Sequence, residues 1–260
     1  MKQKIINFGK KIIPYDIRIF LRKVNWERYY IQQTLFSGST QEKVYCPIAK
    51  KEFKAFVKIS NELITPSNGA RKRHRLVWHF LENEMDILSG HSKILHVAPE
   101  LPFYEIFSKQ ENLIYVPGDK MVEGYSNQKG IQNIDLTELE FEDNTFDFVI
   151  CNHVLEHIPD DQKAMSEIFR VLNTGGKAII TVPINEKLRK TYENNSITTP
   201  KEREKHFGQW DHVRWYGPDI KNRMEKHGFE VEMNRYGAHF SESEFRRLGL
   251  CNDIIIIATK

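Results

Sequence analysis

From Lys93 onward the chain alternates short apolar runs with helix-like segments, and this alternation restricts the fold more than any other feature. Seven strands are expected, at Ile94–Val97, Leu113–Val116, Gln132–Ile134, Phe146–Cys151, Lys177–Val182, Phe229–Met233 and Asp253–Thr259. Helices are expected between them, at 100–109, Asp160 to Leu172 and 218–226. Strands that are apolar almost throughout need cover on both faces, which predicts an α/β, doubly wound, mostly parallel sheet with helices on either side. In that class a ligand sits beyond the carboxyl ends of the strands. Glycine in Thr174-Gly175-Gly176 is expected to supply the left-handed cap of the helix that starts at Asp160.

Upstream the pattern changes. Residues 1–35 show helical spacing, with Ile12, Ile13, Ile17, Phe20 and Leu21 on one face. Residues 44–68 are mixed and turn-rich, and Ala70 to about Leu88 reads as a strong helix. Lys2, Lys4, Lys10, Lys11, Arg18, Arg22, Lys23, Arg28 and Lys43 face only Asp16, Glu27 and Glu42 over the first 43 residues. Such a basic arm suits a solvated helical face or a peripheral contact with an acidic membrane. The net charge of +3 is too small to imply nucleic acid. Cys46, Cys151 and Cys251 are odd in number and far apart, which fits a reducing cytoplasm rather than a disulfide framework. No signal peptide is expected, because Lys10 and Lys11 interrupt the first apolar stretch.

Three consecutive blocks carry a family resemblance. Asp135–Asp147 (DLTELEFEDNTFD), Asn152–Asp160 (NHVLEHIPD) and Arg170–Gly176 (RVLNTGG) resemble, in order and spacing, the core of class I S-adenosylmethionine-dependent methyltransferases of the type 11 family. Arg71–Leu81 (RKRHRLVWHFL), His96–Glu100 (HVAPE) and Phe207–Arg214 (FGQWDHVR) resemble a bacterial subgroup of it. The resemblance implies a Rossmann-like seven-stranded methyltransferase sheet over residues 70–260, with a lid at about 185–217. Residues 1–69 would form a basic, helical extension ending in a segment like a zinc ribbon. Of that ribbon's paired cysteines only Cys46 stands here, with Ala49, Thr65 and Asn68 near the other positions, so no zinc is expected.

The resemblance also implies S-adenosylmethionine as cofactor and leaves the acceptor unidentified; Arg214 and the histidines suit a small hydroxylated or anionic molecule or a glycan precursor. The cofactor contacts fall on His96, Ala98 and Glu100 after the first strand, where the family has an acid and glycines. Asp119 would take the ribose hydroxyls, and Asp135 with the Leu136 amide would take the adenine. Asn152 and His153 end the fourth strand, nearest the methyl group. His153 is the first candidate for a base, and His157 is read as structural. In the lid, Asp211 and His212 could pair as a base with its orienting partner, and Arg214 could clamp an anion. A polar network docking the lid onto the helix at 70–88 is the alternative. His153, Asp211 and His212 lack the short spacing of a metal site, and no metal is expected. A nicotinamide enzyme would need G-x-G-x-x-G after the first strand, where Ala98-Pro99-Glu100-Leu101-Pro102 stands. A non-catalytic module with this fold and an altered cofactor loop remains the alternative.

Overall fold

The computed structural model describes residues 13–35, 42–120 and 130–260. The expectations for Ile12, for most of the basic arm's lysines and for the start of the loop before the third strand lie outside these residues. The described chain begins with α1 (Tyr15–Thr34). Two small hairpins follow, β1 (Val44–Cys46) with β2 (Lys51–Phe53) and β3 (Val57–Ile59) with β4 (Glu62–Ile64). Next come α2 (Lys72–Asn83), β5 (Lys93–Val97), α3 (Leu101–Phe107), β6 (Ile114–Asp119), β7 (Gln132–Asn133) and β8 (Phe146–Asn152). The remainder is α4 (Asp161–Val171), β9 (Leu172–Thr181), β10 (Tyr192–Glu193), α5 (Pro200–Phe207), β11 (Arg214–Trp215), α6 (Ile220–Glu225), β12 (Glu230–Asn234), α7 (Glu242–Leu248) and β13 (Ile255–Thr259).

The seven expected strands form one sheet in the order β12-β13-β9-β8-β5-β6-β7. The pairs from β9 to β7 are parallel, and only β13 runs against its neighbours. This is the seven-stranded, mostly parallel, Rossmann-like sheet that the resemblance implies. Period-two alternation sorts each strand's side chains between two cores. Leu95, Val97, Val149, Cys151, Ala178 and Ile180 pack with α4 and α6, whereas Ile94, Ile150, Ile179, Ile255 and Ile257 pack with α2, α3 and the hairpins. Each fully buried aliphatic side chain of this kind contributes about 1.5–3 kcal/mol.

The two hairpins join the second core through Arg75, which is 0% exposed. Its guanidinium donates to the carbonyls of Leu63, Ala70, Leu248 and Gly249 and to the Thr65 hydroxyl, and lies 3.8 Å from the Phe56 ring centre. Cys46 and Thr65 meet beneath it. The Cys46 thiol sulfur accepts the Ala49 amide at 3.4 Å and the Thr65 hydroxyl at 3.1 Å.

Two expectations about elements are corrected. The helix α4 does not end in a glycine cap, because Leu172 is extended (φ −72°, ψ 142°) and enters β9 directly. Gly175, at φ +79°, instead turns the chain inside β9, where the register slips between Phe146↔Leu172 and Phe148↔Lys177. The Gly175 amide there reaches the carbonyl of Lys260. Helix α2 stops at Asn83 rather than near Leu88, and Asp86 then takes φ +47°. Among the described residues no helix is long and apolar enough to cross a membrane.

Candidate active site

The carboxyl ends of β5, β6 and β8 lie side by side, so the turns that leave them share one edge of the sheet. After β5 the chain turns sharply at Ala98, whose φ is +49° and whose amide donates to the Gly118 carbonyl at 2.7 Å. A left-handed alanine is strained by about 1–2 kcal/mol relative to a right-handed one. Strain of this kind collects at ligand clamps. The turn delivers Glu100 to the N-terminal end of α3.

His96 does not face this edge. Strand parity turns it toward the α3 side, where it is 0% exposed and packs on Phe103 and Phe107. Both ring nitrogens are engaged there. Nε2 donates to Glu100 Oε2 at 2.9 Å, and Nδ1 lies 2.9 Å from the Tyr115 hydroxyl. Burial, and then the Glu100 charge, push Tyr115 up, so this hydroxyl stays protonated and donates. Burial alone would raise the Glu100 carboxyl. The His96 hydrogen bond and the nearby imidazoles outweigh that and hold it at about 2. His96 therefore orients Glu100, and Glu100 carries the negative charge after the first strand. His74 of α2 is another polar neighbour, pushed by burial to about 3, with a buried Nε2 that makes no hydrogen bond among the described residues.

Asp119 ends β6, and burial pushes its carboxyl up despite the Lys120 amide bound to it. Asp135 lies two residues beyond Asn133, the β7 partner of Asp119. Its Oδ1 accepts the Thr137 amide (2.9 Å) and hydroxyl (2.7 Å), and its Oδ2 accepts Lys120 Nζ at 2.6 Å. These bonds, led by the one from Lys120, hold it at about 2. Leu136 is buried in the first core. Lys120 thus follows one candidate acid directly and grips the other.

At the end of β8, Asn152 accepts the Thr181 hydroxyl on Oδ1 while its buried Nδ2 finds no partner among the described residues. His153 sits at φ +52°, with its amide on the Thr181 carbonyl at 2.8 Å. Its Nδ1 donates to Glu156 Oε1 at 3.2 Å. Its Nε2 is buried, unbonded and 4.0 Å from Asp253 Oδ2. A carboxylate behind one ring nitrogen, with the other making no hydrogen bond among the described residues, is the arrangement of an oriented general base. Glu156, at 2% exposure, was not singled out for this role in the sequence, although it stands in the same block as His153.

The lid docks elsewhere than on α2. Arg214 is 3% exposed and donates to the carbonyls of Leu155, Ile158 and Pro159 and to Glu193 Oε2. Its donors bind protein groups, so it fastens the lid to the turn after β8 rather than clamping an anion. Tyr216 and Arg223 add bonds to Asp161 at 2.7 Å each. Asp211 and His212 do not pair with each other. His212 Nδ1 donates to the Phe207 carbonyl, whereas Asp211 accepts from Gln209 and faces His157 Nδ1 at 3.5 Å. A cavity of about 620 Å³ opens on the lid's side of α4, lined by Asp160, Gln162, Glu193 and Arg203, away from the tips of β5 and β6.

Comparison with known proteins bears on the strands that carry this edge. Residues 117–180 match the family model of a methyltransferase domain. That stretch is methyltransferase-like. It runs from within β6 to the end of β9 and includes Asp119, Asp135, Asn152 and His153. Among curated relatives, phosphoethanolamine N-methyltransferase 2 of Caenorhabditis elegans is 32% identical over 71 residues, 27% of this chain and 16% of that protein. The ubiquinone/menaquinone biosynthesis C-methyltransferase of Vibrio cholerae is 34% identical over 106 residues, 36% of this chain and 41% of that one. This chain thus spans less than half the length of either relative. A solved S-adenosylmethionine-dependent methyltransferase from Archaeoglobus fulgidus is 17% identical, with TM-score 0.46, covering 71% of this chain and 93% of that one.

Proposed function

We propose that this chain is an S-adenosylmethionine-dependent methyltransferase acting on a small hydroxylated acceptor. The supporting observation is that one sheet edge gathers the left-handed turn at Ala98, the ionised Glu100, Asp119, Asp135 and the unpartnered donor of Asn152. These groups fit the cofactor's handles. Glu100 suits its ammonium, Asp119 its ribose diol, and Asp135 with the Leu136 amide its adenine. Asn152 Nδ2, buried and unsatisfied among the described residues, is the kind of polar atom a ligand satisfies. When bound, the cofactor supplies an activated methyl on a good leaving group. The protein's share is then alignment and exclusion of water.

The base in this reading is His153, held through Nδ1 by Glu156 so that Nε2 takes the acceptor's hydroxyl proton. His212 and Asp211 are assigned to the lid's contact with the turn after β8, and Arg214 to docking. The rival reading, a non-catalytic module, draws on His96, which fills the acid's usual place with a closed Tyr115–His96–Glu100 chain. Calorimetry with S-adenosylhomocysteine separates the two. Micromolar binding is expected, weakened at least about tenfold by Asp119→Ala, a loss of roughly 1.4 kcal/mol. His153→Gln should change it by less than about threefold. Absence of heat at millimolar ligand would favour the rival.

A peripheral membrane contact is proposed through α1. Its exposed stripe of Ile17, Phe20, Leu21, Val24, Ile31 and Leu35 lies among Arg18, Arg22 and Arg28, which suits an anionic lipid surface.

A further inference from the structure

We infer that the lid and the turn after β8 together form a divalent metal site, with Glu156, His157 and His212 as ligands and Zn²⁺-like transition ions as the class bound. One carboxylate oxygen of Glu156 and one ring nitrogen of each histidine lie within 4.8 Å of one another. Glu156 is 2% exposed and His212 7%, so the cluster is not a surface accident. The independent observation is Glu156 Oε2, a buried carboxylate oxygen with no hydrogen-bond partner among the described residues. A carboxylate oxygen removed from water without a partner is costly, and a cation is the natural complement to it.

The surroundings already do what an outer ligand shell does. His212 Nδ1 donates to the Phe207 carbonyl, which fixes its tautomer and leaves the Nε2 lone pair available. His157 Nδ1 faces the carbonyl and carboxylate of Asp211 at 3.3 and 3.5 Å, with the same consequence. Glu156 Oε1 is held by His153. Two imidazoles and one carboxylate make the three-ligand pattern of an open zinc site, with a fourth position for water or substrate. Bonds of about 2.0–2.2 Å set tetrahedral ligands roughly 3.4 Å apart, so rotations of these side chains must draw the group inward by about 1 Å. Two ligands come from the turn and the third from the lid, 55 residues later, so an ion here would clasp the lid shut. That separation is why ligand spacing in the sequence does not reveal the site.

The test uses the full chain after treatment with chelator, titrated with Co²⁺ and followed by visible absorption, with Zn²⁺ as competitor. The site predicts one ion per chain, visible bands of a four- or five-coordinate Co²⁺, and their loss on adding Zn²⁺. Glu156→Gln and His157→Ala should each weaken binding at least about tenfold. His157 is half-buried at the turn and the less disruptive of the ligands to replace, and circular dichroism establishes that each variant is folded. His206→Ala, on the lid outside the cluster, should leave affinity unchanged. Absent bands, or affinity indifferent to both ligand variants, would overturn the assignment. Cofactor affinity is measured separately, so failure here leaves the methyltransferase reading standing.

Discussion

His74 and Glu100 make the edge around the first strand sensitive to acid. The native His74 titrates at about 3 against an ordinary 6.5, because burial penalises its charged form. Between those values the unfolded chain binds a proton that the native state refuses, so stability falls as pH drops, by up to about 1.4 kcal/mol per unit. Glu100, held at about 2 against 4.5, adds a second decline that begins lower, from pH 4.5 downward. Urea unfolding between pH 7 and 4.5 should therefore show a falling midpoint, and His74→Gln should flatten it. An unchanged slope in that variant would remove His74 as the cause. Ala98 offers a test by shape. Ala98→Gly keeps the left-handed turn and should retain cofactor affinity, whereas Ala98→Val places a β-branched residue at φ +49° and should cost more than about 1–2 kcal/mol of stability. Thermal melts of the two variants decide this.

Among the elements, Arg214 fastens the lid to the turn after β8, beside Tyr216 and the Val213 amide. Removing its side chain leaves the carbonyls of Leu155, Ile158 and Pro159 and the charges of Asp161 and Glu193 without that partner. Arg214→Ala should destabilise the chain by about 3–5 kcal/mol and open residues 185–217 to limited proteolysis first. Equal proteolysis of the variant and the parent would mean that the lid is held elsewhere. Helix α1 is amphipathic in two senses. One face docks, with Trp26 beneath Gly69, Tyr30 edge-on to Phe53 and Lys23 on Glu105. The opposite stripe remains exposed, Phe20 at 64% and Leu35 at 67%. Phe20→Glu with Leu21→Glu should abolish sedimentation with phosphatidylserine vesicles while leaving the melting temperature nearly unchanged. Retained sedimentation would exclude the stripe as the contact.

For the whole molecule, the sheet is legible because most of its strands carry their own apolar signal and are separated by helix-like segments, whereas β7, the polar pair Gln132–Asn133, does not. Asp119, Asn152 and His153 could be placed for the same reason, since the end of a strand is a local property. What escaped the sequence depends on partners far along the chain. Arg214 reads as a free cation until the carbonyls 55 to 59 residues earlier are brought to it. His96 reads as a cofactor ligand until strand parity and Tyr115 turn it inward. The hairpins at 44–64 were too short to register as strands, and α5 and α7 were not marked, being short helices in polar segments.

In the proposed enzyme one sheet edge grips a nucleoside so that its activated carbon faces His153. A crystal structure with S-adenosylhomocysteine bound tests this most directly. The ribose is expected on Asp119, the ammonium at Glu100 and the sulfur turned toward His153 Nε2. A ligand bound elsewhere, or a sulfur facing away from His153 with Glu100 still closed on His96, would contradict it.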